Sequence, residues 1–491
     1  MGTFIPSKYQ KAVYTYIQRG RGNALINAVA GSGKSTTIVN ALHLIPTDKQ
    51  VLFLAFNKSI VEELKIKIGG LSNVEVRTLH SLGCKALLKA YKSVVDESKY
   101  SSWLNSGIQT KFIVPTRQLG DEDFGEWKSN IQKMIDLGRV NLVKDANGLD
   151  DLAFKHGLVL VDNEIEIALR AITWGETETS IIDYTDMVYL PVVKRLRVYQ
   201  FDWVFIDECQ DLNAAQRNLF LMCLKPNGRF VAVGDPRQAI YGFAGADVES
   251  FNLLGKIPHT VKLPLSVCYR CDSDIIDLAK EIVPQIEARS GAPFGMVRKD
   301  SKIEDVQDGD MVLCRVTAPL VQLCMRYISQ GIKAYVKGRD IGKNLINMIK
   351  KTNKTKMTDV MEKLERELGR IIGKVVAKTH CTEEEARESE VYRAYQDKLN
   401  VIDILGEGLD NADDVIDRID TIFSDDSRNG ICLSTVHKSK GLESNRVFIV
   451  NPDKFYIKAC MRIPWMAEQE RNLVYVAYTR AKHFLGFIEK I

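Results

Sequence analysis

Two short stretches of this chain hold the residue types that phosphate chemistry needs. Residues 28–35 read Ala28-Val29-Ala30-Gly31-Ser32-Gly33-Lys34-Ser35, follow an apolar run and lead into a helical pattern. Glycine at 31 and 33 lets backbone N–H groups turn inward around an anion. Lys34 supplies a cation for the outer phosphates, and the Ser35 hydroxyl is a ligand type for Mg2+. Alanine stands where this loop pattern usually opens with glycine, and a small residue still fits the bend. The second stretch, Val204-Phe205-Ile206-Asp207-Glu208-Cys209-Gln210-Asp211, ends an apolar strand in two carboxylates. Asp207 is placed to hold the metal through water, and Glu208 to orient and deprotonate an attacking water. Either stretch alone could be an ordinary turn or a solvated loop. Together they predict a nucleoside triphosphatase and nothing narrower, because many unrelated machines share both elements.

Short Val/Ile/Phe runs must position these loops. Strands are expected at 24–28, 51–56, 74–78, 203–206 and 230–233, then at 260–263, 311–314, 333–336, 431–435 and 447–450. Separated by amphipathic segments, they predict α/β architecture with parallel sheets flanked by helices, in two cores. The first core takes 1–89 and 181–258, interrupted by a mainly helical insertion at 90–180. The second takes 259–340 and 429–491, interrupted by a short, charged helical insertion at 341–428. Both insertions receive a fold type and no chemistry, since charged helical stretches are usually solvated faces.

Composition excludes several classes. With 45% hydrophobic and 26% charged residues, the 491-residue chain is globular and long enough for about three compact units. No run reaches the ~20 apolar residues of a membrane span, and no basic-then-apolar leader opens the chain, so the expectation is a cytoplasmic protein without membrane contact. Ten scattered cysteines are not a disulfide scaffold; Cys268 and Cys271 form the one C-x-x-C, and no second ligand pair nearby makes it a zinc site. A net charge of +4 is too small to argue for nucleic acid by itself.

Further motifs resemble superfamily 1 helicases of the Rep/UvrD/PcrA type. Gln10 resembles the glutamine that reads adenine, and Ala30, Gly31, Ser32, Gly33, Lys34, Ser35 and Thr36 the nucleotide loop. Leu54-Ala55-Phe56-Asn57-Lys58 and Thr78-Leu79-His80-Ser81 resemble two DNA-contacting motifs, and Asp183-Tyr184-Thr185-Asp186 a further family element. The segment from Gly234 to Ala246 resembles the one that senses γ-phosphate through Gln238 and stacks bases through Tyr241 and Phe243. Cys268-Tyr269-Arg270 resembles the motif whose tyrosine stacks on adenine and whose arginine touches the γ-phosphate. The stretches 434–443 and 474–482 complete the ordered set, with Glu443 matching a ribose contact and Arg480 a second arginine finger. Phe243-Ala244 replaces the usual Trp-Arg, Glu443-Ser444 the usual Glu-Phe, and 341–428 is shorter than the family's 2B subdomain. No nuclease region is expected after the last motif.

The resemblance implies two RecA-like cores, ATP and Mg2+ as cofactors, and ATP lying between the cores. Glu208, Lys34, Gln238, Arg270 and Arg480 are the expected catalytic residues, with Ser35 and Asp207 at the metal. Phe56, Asn57, Thr78, His80, Tyr241, Phe243, Thr435 and His437 are the expected nucleic-acid contacts. The function implied is 3′-to-5′ movement on single-stranded DNA with duplex separation, acting at single-strand/duplex junctions beside replication or recombination proteins. A translocase that strips proteins from single strands and unwinds weakly is the alternative, motivated by the short second insertion. A nucleotide-dependent binding module and an RNA track are further readings. The setting expected is intracellular, a host's cytoplasm if the source is a phage.

Overall fold

The structure, a computed structural model, describes all residues except 1–4, 56–57, 157, 159, 241–248, 380, 425–429, 456–463 and 491. The chain divides into two compact units, Met1–Ser266 and Val267–Ile491.

The first unit holds strands β1 (Asn23–Ala28), β2 (Val51–Leu54), β3 (Val74–Arg77), β4 (Val94–Val95), β5 (Ile181–Ile182), β6 (Phe201–Ile206), β7 (Leu224–Gly234) and β8 (Thr260–Leu265). Six of them form one parallel sheet in the order β3-β2-β6-β7-β1-β8. All four residues of β2, Val-Leu-Phe-Leu, are buried, which happens when helices cover both faces of a parallel sheet. Val51 and Phe53 join one apolar cluster, while Leu52 and Leu54 join another on the opposite face.

The covering helices are α1 (Lys8–Arg19), α2 (Lys34–Leu42), α3 (Lys58–Ile68) and α4 (Leu79–Tyr91), then α5 (Lys99–Gln109), α6 (Asp121–Asn141), α7 (Ala146–Lys155) and α8 (Glu164–Thr177). After them come α9 (Tyr184–Val193), α10 (Ala214–Met222) and α11 (Ser250–Gly255). Helices α5 to α8 lie within 90–180, where a mainly helical insertion is expected. They build their own core around Trp127, Ile131 and Ile172, to which Leu87 of α4 and Tyr189 of α9 contribute. Two strands too short to read from sequence, β4 near the start of that stretch and β5 just after it, pair with each other.

One expectation is corrected. Residues 260–263 were expected to open the second core, yet β8 lies beside β1, from Asn23↔Thr260 to Ala28↔Leu265. Local composition identifies a strand; which strand it pairs with is decided by packing.

The second unit holds β9 (Val267–Cys268), β10 (Glu287–Ala288), β11 (Met296–Arg298), β12 (Met311–Cys314), β13 (Ala334–Lys337), β14 (Phe423–Ser424), β15 (Ile431–Thr435), β16 (Ser444–Val450) and β17 (Ala481–Ile488). Seven form a parallel sheet ordered β11-β17-β16-β12-β15-β13-β14. Its helices are α12 (Ser273–Lys280), α13 (Ala318–Ser329), α14 (Arg339–Lys351), α15 (Met357–Thr379), α16 (Glu383–Arg387), α17 (Glu390–Gly406) and α18 (Ala412–Ile422), with a last one at Pro464–Tyr478. The charged second insertion buries an apolar stripe: Val360, Leu364, Val401, Leu405 and Val415 share one core with Val312 and Leu433 of the sheet. Asp397 of α17 also accepts from the backbone N–H groups of Thr317 and Ala318, capping α13.

Candidate nucleotide site and strand-contact residues

The loop after β1 turns through Gly31 (φ +63°) and Gly33 (φ +75°), a left-handed conformation that favours glycine. Gly33 caps α2, and no side chain closes that helix end, so its first N–H groups face the loop. The buried Ser32 hydroxyl meets no hydrogen-bond partner among the described residues, as suits a loop built to wrap an anion. Ser35 is half-buried in the first turn of α2, and Thr36 beside it is exposed.

Lys34 Nζ stands 2.6 Å from Glu208 Oε1. Burial works against its charge, but Glu208, Asp207 and Asp235 hold the proton and raise its pKa above the ordinary lysine range. Glu208 has φ +52°, an unusual backbone for a non-glycine residue and a form of strain concentrated at functional sites. Its Oε2 accepts from Gln210 Nε2 at 2.6 Å. Gln210 in turn accepts from Asp235 N–H at 3.1 Å, and Gln238 Nε2 donates to Asp235 Oδ2 at 2.7 Å. A continuous chain thus runs Lys34–Glu208–Gln210–Asp235–Gln238 across the C-terminal ends of β1, β6 and β7, where parallel sheets place ligands.

Burial first, and then repulsion from Glu208, pushes the Asp207 carboxyl up to about 6 against the pull of Lys34. Asp235 is likewise pushed up to about 6, chiefly by burial. Several acids crowding one ammonium is the chemistry of a divalent-cation site. No group of three His, Cys, Asp or Glu side chains among the described residues could hold a metal alone. Asp207 and the Ser35 hydroxyl are oxygen donors of the type Mg2+ takes, an ion that binds one or two carboxylates and completes its shell with phosphate and water. Gln10 is buried: its Oε1 accepts from Ser7 N–H at 3.0 Å and its Nε2 donates to Thr37 Oγ1 at 3.0 Å, which anchors α1 on α2.

In the second unit, Arg270 and Arg480 come together around Thr479. Arg270 Nη1 donates to Thr479 O at 3.1 Å, and Arg480 Nη2 to Thr479 Oγ1 at 3.4 Å. Arg480 is 1% exposed and also donates to Leu442 O and Val476 O. Glu443 bridges Arg270 Nε (2.6 Å) and Lys482 Nζ (2.7 Å). Burial would raise its pKa, but these two cations hold it below the usual carboxylate range. Tyr269 is 38% exposed, open enough to stack.

Residues 8–258 match the family model described as UvrD/REP helicase N-terminal domain, and 341–490 that of the UvrD-like helicase C-terminal domain. The chain belongs to the UvrD/REP helicase family. It is 25% identical to ATP-dependent DNA helicase Rep of Buchnera aphidicola subsp. Schizaphis graminum over 53% of this chain and 42% of that protein. It is 23% identical to F-box DNA helicase 1 of Gallus gallus over 97% of this chain and 48% of that protein. With Rep of Escherichia coli K12 the identity is 23%, over 53% of this chain and 41% of the relative. The chain therefore spans less than half the length of each of these curated relatives.

Of the strand-contact residues expected in this UvrD-like chain, Phe56, Asn57, Tyr241 and Phe243 lie outside the described residues. Thr78 caps α4, its Oγ1 accepting from Ser81 N–H at 3.2 Å. His80 is half-buried, and burial lowers its pKa. Thr435 ends β15, its Oγ1 within 3.4 Å of Lys438 N. Burial first, then Arg315 and Lys438, push His437 down to about 3. The imidazole is therefore neutral near physiological pH: it can exchange hydrogen bonds with a base or phosphate but brings no charge.

Sequence reasoning gave Asp183 and Asp186 no partners. Both bind Arg139 of α6, with Nη1 at 2.8 Å from Asp183 Oδ1 and 2.9 Å from Asp186 Oδ1. Lys99 Nζ reaches Asp186 Oδ2 at 2.6 Å, with both side chains fully buried. Tyr100 OH donates to Asp186 Oδ1 at 3.0 Å. This network ties the insertion helices to α9, and α9 packs on α4 so closely that a Cβ on Gly83 would meet Met187 O at 1.6 Å. Gln210 and Asp235 also went unassigned, although both sit inside motifs the sequence displays.

No helix among the described residues is long and apolar enough to cross a membrane.

Proposed function

We propose that this chain is an ATP-driven motor that moves 3′ to 5′ along single-stranded DNA and separates duplex ahead of it. The chain of contacts from Lys34 through Glu208 and Gln210 to Asp235 is the observation that carries the reading. Phosphate oxygens compete with Glu208 for Lys34, so nucleotide binding exchanges one ion pair for another and releases a carboxylate oxygen to accept a proton from water. Ser35 and Asp207 would hold Mg2+, which neutralises charge on the phosphates when bound. Gln238, which donates to Asp235, is assigned to sensing the outer phosphate. Arg270 and Arg480 are the second unit's cations that we assign to charge neutralisation during phosphoryl transfer, and Tyr269 to adenine stacking. Gln10 and Glu443 are assigned to adenine and ribose. Strand contact is assigned to Phe56, Asn57, Thr78, His80, Tyr241, Phe243, Thr435 and His437, with aromatic stacking supplying ~1–3 kcal/mol per base.

The names of the curated relatives support DNA as the track and ATP as the fuel. Single-strand/duplex junctions are the expected substrate, with replication or recombination proteins as partners. Unwinding assays on duplexes with 3′ or 5′ single-strand tails test the proposal. Activity on the 3′-tailed substrate alone supports it; preference for the 5′ tail, or no DNA-stimulated ATP hydrolysis, rejects it. A second reading, a translocase that displaces bound proteins and unwinds weakly, is supported by the short second insertion, which shares a core with its sheet. Brisk ATP turnover and protein displacement without unwinding at either tail favours it.

A further inference from the structure

Strand β3 is the outermost strand of the first sheet. Val51 N–H donates to Asn73 O and Ala55 N–H to Arg77 O, so the odd-numbered residues here turn their peptide groups toward β2. Alternation then sends the N–H and C=O of Val76 and the C=O of Val74 outward. Among the described residues no backbone group pairs with them there. Such an edge is a template for another strand.

A groove flanks the edge on each face, and the two differ in chemistry. On the α4 side, about 1040 Å3 of space is lined in part by Leu82, Lys85, Lys89, Arg197, Tyr199 and Phe201. On the α3 side, about 650 Å3 is lined in part by Val61, Lys65, Ile68, Leu71, Val74 and Val76. Val74 and Val76 pack into the apolar cluster beneath α3, whereas Glu75 and Arg77 turn the other way and pair with each other. Lys85, Lys89 and Arg197 are exposed, and none meets a carboxylate among the described residues. The α4-side groove carries exposed cations without a carboxylate partner among the described residues, and the α3-side groove mixes Val61, Leu71 and Val74 with Glu62 and Lys65.

We infer that the β3 edge is a docking site for an extended segment of a partner protein in which acidic and apolar residues alternate. Laid beside β3 as a seventh strand, such a segment sends every second side chain to each face. Its acids meet Lys85, Lys89 and Arg197, and its apolar side chains enter the groove under α3. Backbone pairing supplies affinity and the two grooves supply specificity. A second copy of this chain fits poorly, because it would bring the same cations face to face. Nucleic acid matches the charge but has no peptide groups to pair and no two-residue alternation.

The test uses the full chain and a fluorescein-labelled peptide of about ten residues alternating valine and glutamate, long enough for one strand, read by anisotropy. Binding is expected, and Lys85→Glu with Lys89→Glu weakens it about tenfold or more. N-methylating all valines, or all glutamates, removes N–H groups from one edge of the peptide only. One methylated peptide loses binding and the other keeps it, without any change to the protein. Equal binding by a peptide of the same composition in blocked order, or equal behaviour of the two methylated forms, overturns the proposal. So does a charge-reversed chain that loses oligonucleotide binding while keeping the peptide, or size-exclusion evidence that the edge pairs with a second copy.

Discussion

Gly234→Ala tests the catalytic chain without touching a reacting group. A methyl at this position would lie 2.4 Å from Gln210 Oε1 and 2.9 Å from Cys209 Sγ. Gln210 is 1% exposed and cannot swing into solvent. It must give up its bond to Glu208 Oε2 (2.6 Å), its bond from Asp235 N–H (3.1 Å), or both. A hydrogen bond to a charged group contributes about 1.5–3 kcal/mol. If that loss appears in the barrier because Glu208 is no longer oriented, kcat falls about 10–100-fold at 1.36 kcal/mol per decade. The KM for ATP should move little, since Lys34 and the phosphate loop are untouched. The assay is steady-state ATP hydrolysis with saturating oligothymidylate, accompanied by a melting curve. Gln210→Ala and the double variant complete a cycle: with Gln210 already truncated, the added methyl has little left to displace. The double variant should therefore be no worse than the worse single one. Turnover of Gly234→Ala within about twofold of the parent, or effects that simply multiply, would refute the role given to Gln210.

Lys34→Ala should abolish ATP turnover while single-strand binding stays measurable by anisotropy; unimpaired hydrolysis would contradict the phosphate-loop assignment. Glu208→Gln should still bind ATP but turn it over ~10²–10⁴-fold more slowly in a single-turnover measurement, and near-parent rates would mean another group accepts the proton. Asp207 and Asp235 are both pushed up to about 6, so ATP hydrolysis should decline as pH falls through that value and these acids protonate. Stability runs the other way: the folded chain holds these two protons more tightly than the unfolded chain. Their stabilising contribution is fully present below the ordinary aspartate pKa of about 4 and is lost as pH rises through about 6. Asp207→Asn should remove part of that slope from melting temperatures measured across the window, and an unchanged slope would reject the assigned shift. Asp186→Ala leaves Lys99 and Arg139 buried with too few partners and should destabilise the first unit by about 3–5 kcal/mol in urea denaturation. A loss of under about 1 kcal/mol would show that water reaches the network.

Much of the nucleotide site is legible from spacing because its parts are contiguous. Gly31, Gly33 and Lys34 read as a phosphate loop from eight residues, since left-handed glycines before a helix leave a local signature. Asp207 and Glu208 read as a site only because the phosphate-loop pattern stands upstream; two acids after an apolar strand are by themselves commonplace. Gln210 and Asp235 were invisible as a pair, because the bond between them joins the ends of two strands that neighbour each other only in the sheet. The insertion helices were read as polar surfaces, yet Arg139 and Lys99 carry their charge inside. Charge alone predicts solvent unless the counter-charge is known, and Asp186 is 87 residues from Lys99.

By itself, the amino-acid sequence determined that two parallel α/β cores exist, which loop carries the phosphate-binding pattern, and which acids end the strand assigned beside it. Those properties follow from short-range rules of side-chain period, glycine geometry and strand ends. Tertiary structure alone decided that residues 260–265 complete the first sheet beside β1, that Glu208 is held between Lys34 and Gln210, and that the second insertion shares its sheet's core. It also decided that β3 is an outer edge with a groove on each face, the α4-side one basic. Each of these depends on which distant segments meet, and strand pairing and burial settle that through the whole chain at once.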